Sequence, residues 1–312
     1  MRLSKAVQGF LLFKQGEGLS PKTIETYQLH LRYFVDFLED VEVSEVTSIN
    51  VLQFLQYMKT EHRPSRWNGS IKPLSSQTIR NIWVALRSFY SWAHKTLQLD
   101  DVMELVPAPK ASNTERVPFT IQEVKRLLKV VEPRRASKPR SGTKYIQLLR
   151  DQAIIYLLLD TGIRASELSR MNIGDLHLGS GRVSIEGKGE KHRYVYLADL
   201  SKRAVWQYLA ERDPDPTEPL FITVNHKRMS RYWLRKRLSL IGEKAGVEDV
   251  YPHRFRYTFA IQYLRNGGDI FTLQMLLGHS SLKMVRYYAK LADVDSHVMH
   301  QRASPVDNWL KG

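Results

Sequence analysis

The sequence predicts a mainly α-helical chain of two domains, the second containing a small antiparallel β-hairpin or sheet. Apolar residues recur at three- and four-residue steps along most of the 312 positions. Residues 106–118 (VPAPKASNTERVP) carry three prolines and few large apolar side chains, which is linker composition. Two short β-rich runs, 182–186 and 193–197, flank Gly187-Lys188-Gly189-Glu190-Lys191, the pattern of a hairpin with a basic tip. The expected boundaries are a helical domain over 1–106, a linker over 107–118 and an α+β domain over 119–312.

Ser20 is a natural N-cap and Pro21 suits a first helical position, ahead of Ile24, Tyr27, Leu31, Phe34, Val35 and Leu38 on one face. Ser44 or Thr47 opens a second helix over Val51, Leu52, Phe54, Leu55 and Met58, and 61–73 reads as a loop. A third helix starts near Ser75-Ser76 and carries Ile79, Ile82, Trp83, Leu86, Phe89, Tyr90 and Trp92, assigned to core. Beyond the linker, Thr120 and Glu123 make a capping box. Residues 133–150, with six basic side chains and no acid, read as a basic loop that either is simply solvated or tracks phosphates. A buried helix over Ile146–Leu159 ends at Thr161-Gly162, where glycine supplies the left-handed cap. After the hairpin, the pattern from about 201 onward is mostly helical.

Composition narrows the function. Forty-seven Lys and Arg against 32 Asp and Glu give a net charge of +15. Residues 1–106 hold 12 basic and 11 acidic side chains, whereas 107–312 hold 35 and 21, so the surplus sits on the second domain. A surplus of this kind favours a polyanionic partner such as nucleic acid. The absence of cysteine excludes disulfides, thiolate zinc sites, iron–sulfur clusters and a cysteine nucleophile. The apolar run at 153–159 is far shorter than the ~20 residues that cross a bilayer, and the N-terminus lacks a signal-peptide core, so a cytoplasmic protein is expected.

Several polar residues stand where core or turn residues would suffice. Arg164 follows the glycine turn, as a surface arginine or as an anion ligand, with Glu167 three residues on as its salt-bridge partner or as a surface pair. His253 and Arg256 share a helix face. His279 follows a Leu-Gly turn, and Tyr288 lies nine residues later on a further helix. His297 and His300, three apart without carboxylate or cysteine partners, are assigned to a surface helix rather than to metal.

Taken in order, Thr161-Gly162-Ile163-Arg164-Ala165-Ser166-Glu167-Leu168, Gly187-Lys188-Gly189, His253-Arg254-Phe255-Arg256, Leu277-Gly278-His279 and Tyr288 resemble the motifs of the tyrosine recombinase (phage integrase) family. Length and layout resemble its simple two-domain Xer- and integrase-like members, with residues 1–106 as the helical, SAM-like core-binding domain. The resemblance implies catalytic roles for Arg164, Lys188, His253, Arg256, His279 and Tyr288, with Glu167 in support. Arg164 and Arg256 hold the scissile phosphate, Tyr288 attacks it to leave a 3′-phosphotyrosyl link, and Lys188 protonates the leaving 5′-oxygen. His253 moves the tyrosine proton and His279 donates to the phosphate. Such chemistry uses no metal, ATP or other cofactor.

The implied partners are double-stranded DNA at specific sites, clamped between the two domains, and sister protomers in a tetramer, with accessory DNA-bending or directionality proteins. The tail over 293–312, with Pro305 ending a helix and Trp309 as an anchor, is expected to dock on a neighbouring protomer. Tyr257 and Phe255 depart from the family's usual histidine and leucine, which puts the local packing in question. Tyr287, adjacent to Tyr288, points ~100° away on a helix and is expected to pack. The competing readings are a catalytically silent DNA-binding regulator of the same fold, a type IB topoisomerase-like relaxase or telomere resolvase, and a metal-dependent nuclease. The matched arginines and tyrosine weigh against the first, the N-terminal domain against the second and the lack of clustered carboxylates against the third.

Overall fold

The structure, a computed structural model, describes residues 1–64, 71–110, 117–133, 143–186, 192–212, 215–279, 281–292, 300 and 304–310. The chain divides into two compact units, Met1–Thr114 and Glu115–Gly312.

Among the described residues, four α-helices build the first unit: α1 (Leu3–Gly16), α2 (Pro21–Phe37), α3 (Ser48–Thr60) and α4 (Ser76–Leu97). Each of the last three starts at a hydroxyl that accepts from the first turn, Ser20 from Thr23, Thr47 from Asn50 and Ser75 from Thr78. The reading of the sequence did not single out α1, although Leu3, Ala6, Val7 and Phe10 make its buried stripe. The core between these helices is mostly aliphatic and is threaded by aromatic contacts: Phe34 meets Phe54 at 5.0 Å between ring centres, and Phe10 meets Phe89 edge-on at 5.6 Å.

The second unit opens with α5 (Ile121–Val130) behind the reciprocal Thr120–Glu123 capping box. It continues through α6 (Thr143–Thr161) and α7 (Ala165–Arg170) to a three-stranded antiparallel sheet, β1 (Leu176–His177), β2 (Arg182–Glu186) and β3 (His192–Tyr196). The predicted hairpin therefore gains a short third strand. Then follow α8 (Asp199–Ala210), α9 (Arg231–Ala245), α10 (Pro252–Arg265), α11 (Ile270–Leu277), α12 (Leu282–Ala292) and α13 (Pro305–Leu310).

Pairing of Val183 with Val195 and of Ile185 with Arg193 puts these four residues on one face of the sheet, where Val183, Ile185 and Val195 are buried. A main core packs that face with α6, α8 and α9. A separate cluster of Tyr257, Ala260, Ile261, Leu264, Leu273, Leu277, Val285, Tyr288 and Ala292 joins α10, α11 and α12.

One expectation needs correction. The helix predicted from Ile146 starts at Thr143, and Arg150, counted in the basic loop, is buried in it. Its charge is matched locally: Nε and Nη2 donate to Asp151 Oδ1 at 3.1 and 2.9 Å, Nη1 donates to the Ile222 carbonyl, and the guanidinium lies over the Trp233 ring. Arg237 donates to the other Asp151 oxygen at 2.7 Å. Pro305 opens α13, since a proline needs no hydrogen-bonded N–H in the first turn, and the helix expected before it, to about Arg302, lies outside the described residues except for His300. Trp309 and Leu310 on α13 are exposed. The rest of the predicted basic loop over 134–142, Gly187-Lys188-Gly189-Glu190-Lys191, His297 and 111–116 of the linker lie outside the described residues.

Candidate active site

Two left-handed glycines set the frame. Gly162 ends α6 at φ +58° and Gly278 ends α11 at φ +62°, each turning the chain so that the next polar residues leave a helix end. Around Gly162 the space is filled: a β-carbon there would lie 2.4 Å from Phe259 Cδ1 and 3.1 Å from Leu277 Cδ2.

Arg164 is the N-cap of α7 and Glu167 its N3 residue. The Arg164 amide donates to Glu167 Oε2 at 2.7 Å and its Nη1 donates to Oε1 at 2.8 Å, while Nη2 reaches the Gly278 carbonyl at 3.1 Å. Glu167 is 5% exposed. Burial alone would raise its pKa, but hydrogen bonds from Arg193 and Arg164 and the charge of Arg193 outweigh that and hold the carboxyl at about 2. Arg164 itself keeps a 36% exposed side chain, enough to meet a ligand.

Arg256 is the buried counterpart. From the second turn of α10 its Nη1 donates to the Gly162 carbonyl at 2.8 Å, and Nη2 donates to the Leu277 carbonyl and to His279 Nε2, both at 2.7 Å. Burial and the nearby Arg164 charge bring its pKa down to about 10, so it stays a cation at neutral pH. A guanidinium only donates, so His279 Nε2 must accept and its proton resides on Nδ1. That Nδ1 is buried and has no hydrogen-bond partner among the described residues. Burial first, then the charges of Arg256, Arg164 and Arg193, lower the His279 pKa to about 4, so the ring is neutral.

Tyr288 is buried on α12, its ring 6.1 Å from His279 and stacked at 25°, with Tyr257 edge-on at 5.7 Å. Its phenol is close enough to Arg256 for their charges to interact. Tyr287 is 38% exposed and faces away from this cluster's interior. The two departures from the usual pattern are absorbed in packing, Phe255 against Phe119 and Tyr257 against Tyr288. His253 is exposed in the first turn of α10, one turn before Arg256. Its neighbour Arg254 has a structural job: it donates to the Val117 and Glu248 carbonyls and to Glu123, and lies 4.0 Å over the Phe119 ring. Lys188 lies outside the described residues.

One residue of the centre escaped the sequence reading. Arg193 on β3 donates from both Nη atoms to the two Glu167 oxygens, at 2.9 Å each, and from Nε to the Leu276 carbonyl at 2.9 Å. The available signal was period-two alternation: Arg193, Val195 and Leu197 share a face, and an arginine on an inward face requires a buried carboxylate.

Arg164, Arg256, His279 and Tyr288 thus meet where α6, α10, α11 and α12 come together, placing a tyrosine and an imidazole beside two guanidiniums. Among the described residues, no group of three or more His, Cys, Asp or Glu side chains could hold a metal ion.

Residues 118–294 match the model of the phage integrase family, and residues 7–99 match that of the phage integrase N-terminal SAM-like domain. Tyrosine recombinase XerA of Thermococcus kodakarensis is 31% identical over 311 residues, covering 98% of each chain. Tyrosine recombinase XerD of Listeria innocua serovar 6a is 27% identical over 316 residues, 97% of this chain and 99% of the relative. Among solved structures, the Tn1549 transposon integrase in complex with transposon right end DNA aligns over 100% of both chains with a TM-score of 0.72 at 16% identity, a likeness of fold. The chain belongs to the phage integrase family of tyrosine recombinases.

Proposed function

We propose that this tyrosine site-specific recombinase cuts and rejoins duplex DNA at the centre formed by Arg164, Arg256, His279 and Tyr288. The carrying observation is the convergence of two guanidiniums and a neutral, proton-bearing His279 Nδ1 beside Tyr288.

In this reading the Tyr288 oxygen attacks the scissile phosphorus and gives its proton to His253. A 3′-phosphotyrosyl bond forms, the P–O5′ bond breaks, and Lys188 protonates the departing 5′-oxygen. Arg164, Arg256 and the Nδ1–H of His279 bind the non-bridging oxygens as negative charge grows there, and Glu167 orients Arg164. The phosphodiester energy stays in the protein–DNA link, so a 5′-hydroxyl can reverse the step without ATP. Guanidiniums supply the positive charge that a metal supplies in other phosphoryl-transfer centres.

The substrate is double-stranded DNA, supported by the +15 charge and by the DNA held in the similar integrase structure. Residues 107–118 act as the linker between a core-binding domain and the catalytic domain. A tetramer forms on paired sites, with exposed Trp309 and Leu310 of α13 docking on a neighbouring protomer. Integration, excision or resolution, with accessory DNA-bending proteins, is the biological setting, and the protein works in the cytoplasm on nucleoid DNA. No described helix is long and apolar enough to cross a membrane.

The test is adduct formation on nicked suicide duplexes built from DNA flanking the gene, in the presence of a chelator. Wild type and Tyr287→Phe are expected to form a 3′-linked adduct that survives denaturing electrophoresis, and Tyr288→Phe none. Normal DNA binding by wild type without any adduct would favour a catalytically silent regulator instead.

A further inference from the structure

We infer that Arg193 is a positioning residue of the recombination reaction: by taking up the charge of Glu167, it leaves Arg164 available to the scissile phosphate. This inference rests on the proposed role of Arg164.

Glu167 accepts four hydrogen bonds, two from Arg164 and two from Arg193. With Arg164 as its sole cation, a buried carboxylate would form a one-to-one neutral pair and hold the guanidinium against itself. The second arginine changes that balance. Three guanidiniums, those of Arg164, Arg193 and Arg256, then face one carboxylate, leaving two positive charges in surplus. A phosphodiester carries one negative charge and gains most of a second as the phosphorus becomes five-coordinate, so the surplus matches the transition state better than the ground state.

Arg193 also braces the turn that both phosphate arginines use. Its Nε donates to the Leu276 carbonyl, while Arg256 donates to the Leu277 carbonyl and Arg164 to that of Gly278. A β-carbon at Gly278 would lie 3.1 Å from Arg193 Nη1, so the side chain packs directly against this glycine. Three consecutive carbonyls thus each receive a different arginine, and β3 is tied to the helix end that presents His279. Pairing of Arg193 with Ile185 fixes the strand register that brings the fork to Glu167.

The experiment is a double-mutant cycle on the full-length chain with Arg193→Gln, Arg164→Ala and the combination. It uses single-turnover adduct formation on a suicide duplex built from DNA that wild type selects out of a random pool, with duplex affinity and melting temperature measured alongside. Arg193→Gln is expected to slow adduct formation about 10- to 100-fold with duplex affinity unchanged, and to cost clearly less in the Arg164→Ala background than in wild type. Arg193→Lys, which keeps the charge but not the fork, is expected to restore the rate only in part; it takes the place of Arg193→Gln in the cycle if the latter melts below the assay temperature. Full additivity of the two substitutions, or a wild-type rate for Arg193→Gln, would overturn the inference while leaving the role of Arg164 intact. A wild-type rate for Arg164→Ala would instead remove that role, and the inference with it.

Discussion

His279 Nε2 lies 2.7 Å from Arg256 Nη2, and this single contact decides which ring nitrogen carries the proton. Because the guanidinium has nothing to accept with, the imidazole accepts at Nε2 and keeps its hydrogen on Nδ1, the atom that has no partner among the described residues. In the proposed reaction, the arginine that binds phosphate therefore also prepares a second donor for it.

Stability should report the neutral state of His279. Its folded pKa of about 4 lies below the ordinary 6.5, so the neutral ring contributes fully above pH 6.5, and the contribution falls as pH drops from there towards 4. Urea unfolding of wild type and His279→Gln at pH 7.5, 5.5 and 4 is expected to show wild type losing ground to the variant on acidification. A gap independent of pH would mean that the ring is not held neutral.

Arg256→Lys should be far more damaging than its conserved charge suggests. A lysine cannot reach the Gly162 and Leu277 carbonyls and His279 together, so buried acceptors lose their donor and, in the proposed reaction, the phosphate loses a fork. Adduct formation is expected to drop by about 10²- to 10³-fold, measured by single-turnover cleavage, with duplex binding largely kept.

Gly162→Ala should disturb both folding and chemistry. The positive φ costs about 1 kcal/mol for a residue with a β-carbon, and the contact with Phe259 adds to it. A lower melting temperature together with slower adduct formation is expected, since Arg164 is two residues beyond and Arg256 bonds the Gly162 carbonyl. An unchanged melting temperature would show that the turn can relax.

Asp151→Asn tests a charge cluster away from the reacting groups. Asp151 is fully buried between Arg150 and Arg237, and neutralising it leaves a buried guanidinium without its counter-ion. The expected loss is about 3–5 kcal/mol by chemical denaturation, without a change in which tyrosine forms the adduct.

Much of the fold was legible because it rests on local patterns. The caps at Ser20, Thr47, Ser75 and Thr120 mark helix starts by a side-chain oxygen and the next-turn N–H, both set by neighbours in sequence. The order of Arg164, His253, Arg256, His279 and Tyr288 was likewise readable. Arg193 was not, since its partner Glu167 is 26 residues away and joined to it through the sheet. Arg150 misled for a related reason: in a run of basic residues it looks solvated, and only the long-range contacts with Ile222, Trp233 and, through Asp151, Arg237 explain its burial.

By itself, then, the sequence determined the helical plan, the place of the hairpin and the excess of positive charge on the second domain, because each depends on spacing and residue type, and its resemblance to a known family nominated the residues for chemistry. The tertiary structure alone decided the proton position on His279, the pairing of Arg193 with Glu167 and the burial of Tyr288 against His279 and Tyr257. Those properties arise from desolvation and from groups brought together from separate elements, Arg193 with Glu167 across 26 positions and Arg256 with His279 across 23, and no local pattern encodes the distance between them.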